Sequence, residues 1–184
     1  MRSTVTCARA RKTGRLLHRE RTIPIPAGRW RVAPRQRNGA ATMTARTAII
    51  GLGIMGRRML EHMLRHTGYR PIALWDPDPR ACQEARALAP DVRIATSADD
   101  AMAEADVVYL ACPPVPRKAY ALAAKRDGKA VFLEKPLGVD VAESEALVDA
   151  FRESGVPAAV NFTQAAGAAL TGVSEAARSG ALAA

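Results

Sequence analysis

Six short apolar runs follow one another along the chain from Thr47 onward, each nearly free of polar interruptions, as in strands that are buried on both faces. They lie at 47–52, 69–75, 92–96, 106–112, 130–134 and 157–162. Stretches with the apolar spacing of helices alternate with them, at 54–66, 79–89, 98–104, 116–126, 140–154 and 164–179. This alternation predicts an α/β fold with a doubly wound parallel sheet, the Rossmann arrangement, whose strands are joined by right-handed crossovers.

Capping residues mark the ends of two of these helices. Asp78 precedes Pro79, which is the order of an N-cap followed by proline in the first turn. Gly155 follows the helical stretch 140–154 and is expected to close it.

Basic residues are concentrated at the start of the chain. The 184 residues carry a formal net charge of +9, yet residues 1–46 alone hold 12 Lys or Arg and a single acid, Glu20. The 15 basic and 17 acidic residues that follow nearly balance, so the predicted fold gives no electrostatic reason to expect a nucleic acid or a membrane as partner. We predict that residues 1–45 form a basic, disordered leader, because they lack an apolar period and are rich in Pro, Gly and Arg.

Three origins remain open for this leader. A transit peptide would be rich in Arg and poor in acids, but only residues 9–21 approach an amphipathic helix. A nucleic-acid-binding arm fits the charge, but no interleaved aromatic residues support it. Upstream sequence read through from an early start, with Met43 as the natural beginning, is the preferred interpretation because the first predicted strand starts four residues later.

The remaining composition favours a soluble cytoplasmic protein without a metal site. Cys7, Cys82 and Cys112 form an odd set without CxxC or metal-ligand spacing, which is typical of a reducing compartment. No run approaches the roughly 18–20 apolar residues of a membrane span. The leader also lacks the apolar core of a secretory signal.

The sequence GLGIMG follows the first predicted strand and opens the first helix, with Gly51, Gly53 and Gly56 in GxGxxG spacing. In such a loop the first glycine allows a tight turn, the second lets the backbone approach a pyrophosphate, and the third permits close packing of helix and strand. Free amides at the helix start, including those of Ile54 and Met55, would hold the anion. The alternative is a set of turns that bind nothing. Arg57 and Arg58 follow the last glycine, and we expect both side chains to be solvated.

Asp76 ends the second predicted strand, 20 residues after Gly56, close to the spacing of about 20 expected for an acid that binds an adenosine ribose. A helix cap is the alternative, although Asp78 fills that position better. A carboxylate here would repel a 2′-phosphate, so NAD is favoured over NADP. NADP stays open because Arg80 lies nearby in the sequence.

The fourth and fifth predicted strands end in candidate site residues. Cys112, Pro113 and Pro114 follow the fourth strand, where prolines would stop the strand and shape a loop over the cofactor. Packing is the preferred role of Cys112, since no basic partner for a nucleophile is evident.

Glu134, Lys135 and Pro136 end the fifth strand, and we expect the first two side chains to face the ligand crevice and not the core. Lys135 could then take the proton of an alcohol while Glu134 fixes the local geometry. The alternative for Lys135 is a side chain that simply reaches solvent from a loop.

These motifs, together with DVVYLACPP, GKAVFLEKPLGVD and VPAAVNF, resemble in order and spacing the nucleotide-binding half of the Gfo/Idh/MocA oxidoreductases, the glucose-fructose oxidoreductase and inositol dehydrogenase family. The resemblance covers roughly residues 46–182. It implies a dinucleotide-binding domain at 46–162, with Glu134, Lys135 and Pro136 as the family's EKP tripeptide and Lys135 near nicotinamide and substrate. It also allows a cis bond before Pro136.

The resemblance further implies that residues 163–184 are a crossing helix that leads into a second α/β domain, which is expected to be missing from this chain. In the family that domain supplies an Asp-x-x-x-His pair, most of the substrate pocket and the usual homo-oligomer interface. Two departures from the family pattern are Cys112 in place of threonine and Arg117 at the position of a histidine.

Two functions therefore remain open. The first is an NAD-dependent oxidoreductase that moves a hydride between nicotinamide and a CH–OH group of a sugar, cyclitol or related small molecule. The second is a truncated nucleotide-binding module without catalytic turnover. A rival resemblance, to 3-hydroxyisobutyrate-type dehydrogenases, rests on the first loop alone, because the chain has EKP where those proteins have a glycine-rich substrate loop.

Overall fold

A computed structural model describes residues 44–163 and 168–179 of the chain. The strands are β1 (Ala45–Ile50), β2 (Tyr69–Trp75), β3 (Arg93–Ile94), β4 (Val107–Leu110), β5 (Ala130–Glu134) and β6 (Ala158–Asn161). The helices are α1 (Ile54–Leu64), α2 (Pro79–Leu88), α3 (Ala98–Met102), α4 (Pro114–Arg126), α5 (Val141–Ser154) and α6 (Ala168–Ser179). All of the described residues belong to one compact unit.

All six strands are parallel and lie in the order β3-β2-β1-β4-β5-β6. The chain therefore builds outward from β1 to one edge, returns to the other side of β1 with β4, and builds outward again. This confirms the predicted doubly wound Rossmann sheet. The order reverses between β1 and β4, and ligands of such sheets bind at this point, beyond the carboxyl ends of the strands.

Alternating residues of the strands build a core on each face of the sheet. On one face Ile50, Val108 and Leu133 pack with the helices α3, α4 and α5. On the other face Ile49 and Tyr109 pack with α1 and α2. Both faces are covered, which is why the strands carry nearly continuous apolar runs.

Side-chain contacts stabilise the end of the sheet at which the strands begin, opposite their carboxyl ends. The guanidinium of Arg46 on β1 contacts the carboxylate of Asp106 at 2.9 Å. The hydrogen bonds from Arg46 hold the pKa of Asp106 below its ordinary value. The ammonium of Lys129 donates to the carbonyl oxygens of Ala103 and Ala105 at 2.9 and 3.0 Å. The entries to β1, β4 and β5 are thus held together.

The caps predicted from the sequence are present. The carboxylate of Asp78 accepts a hydrogen bond from the amide of Arg80 at the start of α2, and Gly155 ends α5 with a φ of 67°. Ser97 and Asp140 cap α3 and α5 in the same way as Asp78 caps α2.

Some predicted boundaries are wrong. β1 spans Ala45–Ile50 and not 47–52, because Arg46 pairs with β2 and its side chain is satisfied by Asp106. α4 begins at Pro114 and not at 116, since proline is well suited to the first position of a helix. α1 ends at Leu64, so His66 lies beyond the helix that carries His62.

The predicted leader at 1–45 lies almost wholly outside the described residues. The predicted helix at 164–179 is described only from Ala168 to Ser179, and the boundaries at 46, 162 and 163 stay predictions.

Candidate functional site

A cleft of about 540 Å³ opens at the carboxyl edge of the sheet, at the point where the strand order reverses. Residues that are far apart in sequence meet there: Gly51 and Gly53 after β1, Asp76 after β2, and Lys135 after β5. The loops therefore bring the three candidate motifs to one site.

Two of the three loop glycines are required by the packing of the protein itself. Gly51 has a φ of +92°, and a Cβ there would lie 2.4 Å from the amide nitrogen of Cys112. A Cβ on Gly56 would lie 1.9 Å from the carbonyl oxygen of Gly51. Any side chain at either position would push α1 or the end of β4 away from the turn.

Gly53 differs from the other two, because a Cβ at this position would meet no protein atom within 4 Å. Its backbone is extended, with φ −65° and ψ −168°, a conformation open to any residue. Gly53 is also the N-cap of α1, and among the described residues no side chain accepts a hydrogen bond from the amides of the first turn. The space in front of these amides is open, which fits the approach of a pyrophosphate to a helix amino end.

The carboxylate of Asp76 is anchored in the loop between β2 and α2. Oδ2 accepts a hydrogen bond from the amide of Leu52 at 2.7 Å, and Oδ1 accepts one from the amide of Asp78 at 2.8 Å. Each carboxylate oxygen can accept a further bond. Asp76 therefore stiffens the glycine turn while keeping acceptor capacity at the cleft. The capping alternative is wrong, since Asp78 caps α2.

The sequence predicts that the side chain of Arg57 is solvated, and this prediction is wrong. One guanidinium nitrogen donates to the carbonyl oxygen of Leu52 at 2.6 Å and contacts the carboxylate of Glu84 on α2 at 2.8 Å. The prediction failed because Glu84 lies 27 residues away in the sequence. Arg58 is exposed, as expected.

Glu134 corrects a second prediction: it lines the cleft, but its side chain is buried, with only 3% of its surface exposed. Its Oε1 accepts hydrogen bonds from the hydroxyl of Tyr109 and the amide of Asn161, each at 2.5 Å. Burial, reinforced by the hydrogen bond to Glu134, raises the pKa of Tyr109 above its ordinary value. Tyr109, Glu134 and Asn161 thus form a buried network across β4, β5 and β6, in which the carboxylate fixes the end of β5.

Lys135 follows at the point where the chain leaves the sheet. The residue is exposed and lines the cleft, and within residues 44–163 and 168–179 its ammonium makes no hydrogen bond or ion pair. The Lys135–Pro136 bond is cis, as the resemblance allowed. The amine is therefore available to a group in the cleft, while the residue before it is fixed in the core.

Cys112 is buried at the end of β4, and burial raises the pKa of its thiol, which supports packing over a nucleophilic role. A basic residue does lie close by, contrary to the prediction. The guanidinium of Arg117 donates through Nε, at 3.0 Å, to the carbonyl oxygen of Cys112. Arg117 is itself 3% exposed.

The cleft contains eight of the twelve predicted site residues. They are Gly51, Gly53, Met55, Asp76, Cys112, Pro113, Glu134 and Lys135. The other four do not line it. Ile54 is 72% exposed on the α1–α2 surface, Gly56 packs against Gly51, Pro114 is the first residue of α4, and Pro136 offers its carbonyl oxygen to Arg117.

Sequence reasoning missed one wall of the cleft, which α4 supplies. Pro116, Arg117 and Tyr120 follow the predicted Pro113 at spacings of three, four and seven, so they share one face of α4, and all three line the cleft. Tyr120 also meets Trp75 edge to face, with ring centroids 5.8 Å apart. The helical spacing was the signal that could have found this wall.

No helix among the described residues is both long and apolar enough to cross a membrane. Within the same ranges, no three His, Cys, Asp or Glu side chains are grouped closely enough to hold a metal ion.

Comparisons with known proteins agree with this geometry. Residues 45–162 match the family model GFO_IDH_MocA, described as an oxidoreductase family with an NAD-binding Rossmann fold. The inositol 2-dehydrogenase of Acidiphilium cryptum is 35% identical over 115 residues, which are 59% of this chain and 33% of that protein. An uncharacterized oxidoreductase of Streptococcus pneumoniae is 30% identical over 112 residues, which are 59% of this chain and 29% of that protein.

Solved structures show the same fold. The WlbA dehydrogenase from Bordetella pertussis, in complex with NADH and UDP-GlcNAcA, superimposes with a TM-score of 0.69 at 26% identity over 75% of this chain and 40% of its own. The apo scyllo-inositol dehydrogenase from Lactobacillus casei gives a TM-score of 0.70 at 18% identity, over 77% of this chain and 43% of its own, and is evidence for the fold alone. The chain spans about a third of the length of the curated relatives that it matches.

Proposed function

Because the chain belongs to the Gfo/Idh/MocA oxidoreductase family, with its NAD-binding Rossmann fold, we propose that its cleft binds NAD for hydride transfer to or from a CH–OH group of a sugar, a cyclitol or a related small molecule. The observation that carries the proposal is the meeting of an open glycine turn, an anchored carboxylate and an unpaired amine in one cleft.

The diphosphate end of the proposed site is the turn at Gly53. Among the described residues no side chain caps the amides at the start of α1, and none has an atom within 4 Å of a Cβ built on Gly53. Charge-assisted hydrogen bonds from such amides and the dipole of α1 both favour a bound anion. This is the part of the chain that fits a pyrophosphate.

The ribose end of the proposed site is Asp76. Its oxygens each accept one backbone hydrogen bond and can each accept another from a ribose hydroxyl. A negative charge at this position would repel a 2′-phosphate, which supports NAD over NADP.

The reacting end of the proposed site is Lys135. NAD supplies the hydride acceptor for the carbon of an alcohol. Lys135, as the neutral amine, would accept the hydroxyl proton at Nζ while the hydride leaves the carbon, so that the C–O single bond becomes a carbonyl. In the reverse direction the ammonium of Lys135 would return that proton to the oxygen. Glu134, held by Tyr109 and Asn161, keeps the backbone of Lys135 in place.

The substrate class is supported by what similar proteins are named for: inositol 2-dehydrogenases among the relatives, and a UDP-sugar acid in the WlbA complex. Inositol and UDP-GlcNAcA both carry secondary alcohols on a six-membered ring. By kinship we also propose that the protein acts as a homo-oligomer. We expect no nucleic acid or membrane partner, because the part of the chain after Arg46 is nearly neutral. A cytoplasmic location is part of the same proposal.

The test is a titration of NADH fluorescence, followed by an assay of NAD reduction with a panel of polyols and UDP-sugars. Asp76→Ala should weaken NADH binding. Lys135→Met should leave binding within about twofold and lower turnover by about 10²-fold or more. Lys118→Met is the matched control, since Lys118 lies on the outer side of α4 in an ion pair with Glu143.

Binding without reduction of any substrate would favour the second function, a nucleotide-binding module without turnover. If Lys135→Met abolished NADH binding, the role given to this lysine would be wrong.

A further inference from the structure

Arg117 is a buried cation without a carboxylate partner among the described residues, and it forms part of the wall of the cleft on α4. Only 3% of its surface is exposed. Burying a guanidinium is costly unless its donors are satisfied, so the contacts that compensate for this cost indicate what the residue does.

All of those contacts are backbone carbonyl oxygens at the ends of two strands. Nε and Nη2 donate to the carbonyl oxygen of Cys112, at 3.0 and 2.5 Å, just after β4. Nη1 donates to the carbonyl oxygens of Glu134 and Pro136, which flank Lys135 on both sides. The planar fork of one side chain thus joins the loop after β4 to the turn that carries the proposed proton acceptor.

The sheet itself does not make this connection. The pairing of β4 with β5 ends at Leu110 and Leu133, two residues before Cys112 and Lys135 respectively. After that pair of residues, the segments that follow β4 and β5 continue into separate loops. Arg117 joins these two loops beyond the end of the strand pairing. A lysine could not do the same, because its single ammonium cannot span three carbonyl oxygens in the way the guanidinium does.

We propose that Arg117 is a positioning residue that fixes the backbone of Lys135 relative to the loop at Cys112, and so sets the wall of the cleft at its nicotinamide end. The inference rests on the proposed function in one respect, the identity of the ligand. The hydrogen bonds of its guanidinium go to backbone carbonyl oxygens, so Arg117 acts through the two loops that it holds.

The first test measures amide hydrogen exchange in the free protein. Arg117→Lys should speed exchange about tenfold at the amide of Lys135, which donates to the carboxylate of Glu134 at 3.3 Å, while the amides of β1 exchange as in the wild type. The control Lys118→Met removes a positive charge from the next residue of α4 and should leave all of these rates unchanged.

The second test compares two ligands, NADH and ADP-ribose, which share the adenosine and the diphosphate but differ in the nicotinamide. Arg117→Lys and Arg117→Met should each raise the Kd for NADH about tenfold and change the Kd for ADP-ribose less than twofold. A residue that only stabilised the fold would change both constants together or neither.

Three outcomes would overturn the proposal: unchanged exchange in Arg117→Lys, equal losses of affinity for the two ligands, or failure of Arg117→Lys to fold, which would assign the residue to stability of the whole domain. If the wild type bound neither ligand, the proposed function would fail. The exchange experiment would still decide whether Arg117 positions the turn at Lys135.

Discussion

Replacing Gly53 by alanine adds one methyl group, which should weaken ligand binding while leaving the stability of the fold nearly unchanged. A Cβ at Gly53 meets nothing within 4 Å in the protein, whereas a Cβ at Gly56 meets the carbonyl oxygen of Gly51 at 1.9 Å. The two glycines lie three residues apart in one motif, so Gly56→Ala is the natural comparison for Gly53→Ala.

The expected change in stability for Gly53→Ala is close to zero. Alanine at a compatible backbone conformation stabilises by about 0.4–1 kcal/mol, because it restricts the unfolded chain. Alanine is also a poorer N-cap than glycine, by somewhat less than about 1 kcal/mol. The two effects oppose each other, and the free energy of unfolding should change by no more than about 0.5 kcal/mol.

The expected change in binding is much larger. The methyl group would occupy the open space in front of the first turn of α1, where the diphosphate is proposed to approach. Loss of a single hydrogen bond to a charged group costs about 1.5–3 kcal/mol. Since 1.4 kcal/mol is a factor of ten, NADH should bind about ten- to 150-fold more weakly.

Urea denaturation and NADH fluorescence titration of the same samples measure both quantities. Gly56→Ala should instead lose about 3 kcal/mol of stability, because the clash involves backbone on both sides. Wild-type affinity in Gly53→Ala would refute the proposed place of the diphosphate. A strongly destabilised Gly53→Ala would refute the description of that space as open.

Three further predictions concern other parts of the fold. Tyr109→Phe removes one of the two side-chain donors to the buried carboxylate of Glu134 and should lower the free energy of unfolding by about 1–3 kcal/mol, measured in urea, with little change in the slope of the transition. Arg46 holds the pKa of Asp106 below its ordinary value, so their ion pair stabilises the folded state above about pH 4, and this stabilisation is lost as the pH falls further. The variant Asp106→Asn lacks this ion pair. It should therefore lose less thermal stability than the wild type between about pH 5 and about pH 2.5. Asp78→Ala should cost about 1 kcal/mol of stability through loss of the α2 cap and leave the Kd for NADH unchanged, and a weakened Kd would mean that the cap also shapes the cleft.

Local sequence signals were enough to predict the fold and much of the cleft. β2 and β5 were predicted with their observed boundaries, because each is an apolar run that ends at a charged residue next to proline. The glycine spacing and the acid at Asp76 located the turn and the loop, since both are set by neighbours within one βαβ unit. These features depend on short stretches of chain, which a single sequence displays.

The errors at the site involve partners that are distant in the sequence. The burial of Glu134 was missed because its donors Tyr109 and Asn161 are 25 and 27 residues away. Arg57 was thought solvated because Glu84 belongs to the next helix. Arg117 was noticed only as a departure from the family, since nothing in a one-dimensional sequence shows that three carbonyl oxygens converge on it.

The ties of Arg46 and Lys129 at the far edge of the sheet have a consequence for how this fold can change. They secure the entries of three central strands at a distance from every loop that forms the cleft. Substitutions in those loops can then alter what is recognised without loosening the scaffold beneath them. The contacts that stabilise the sheet and the loops that form the cleft therefore lie at opposite ends of the strands. The cleft can change in evolution while the fold is retained.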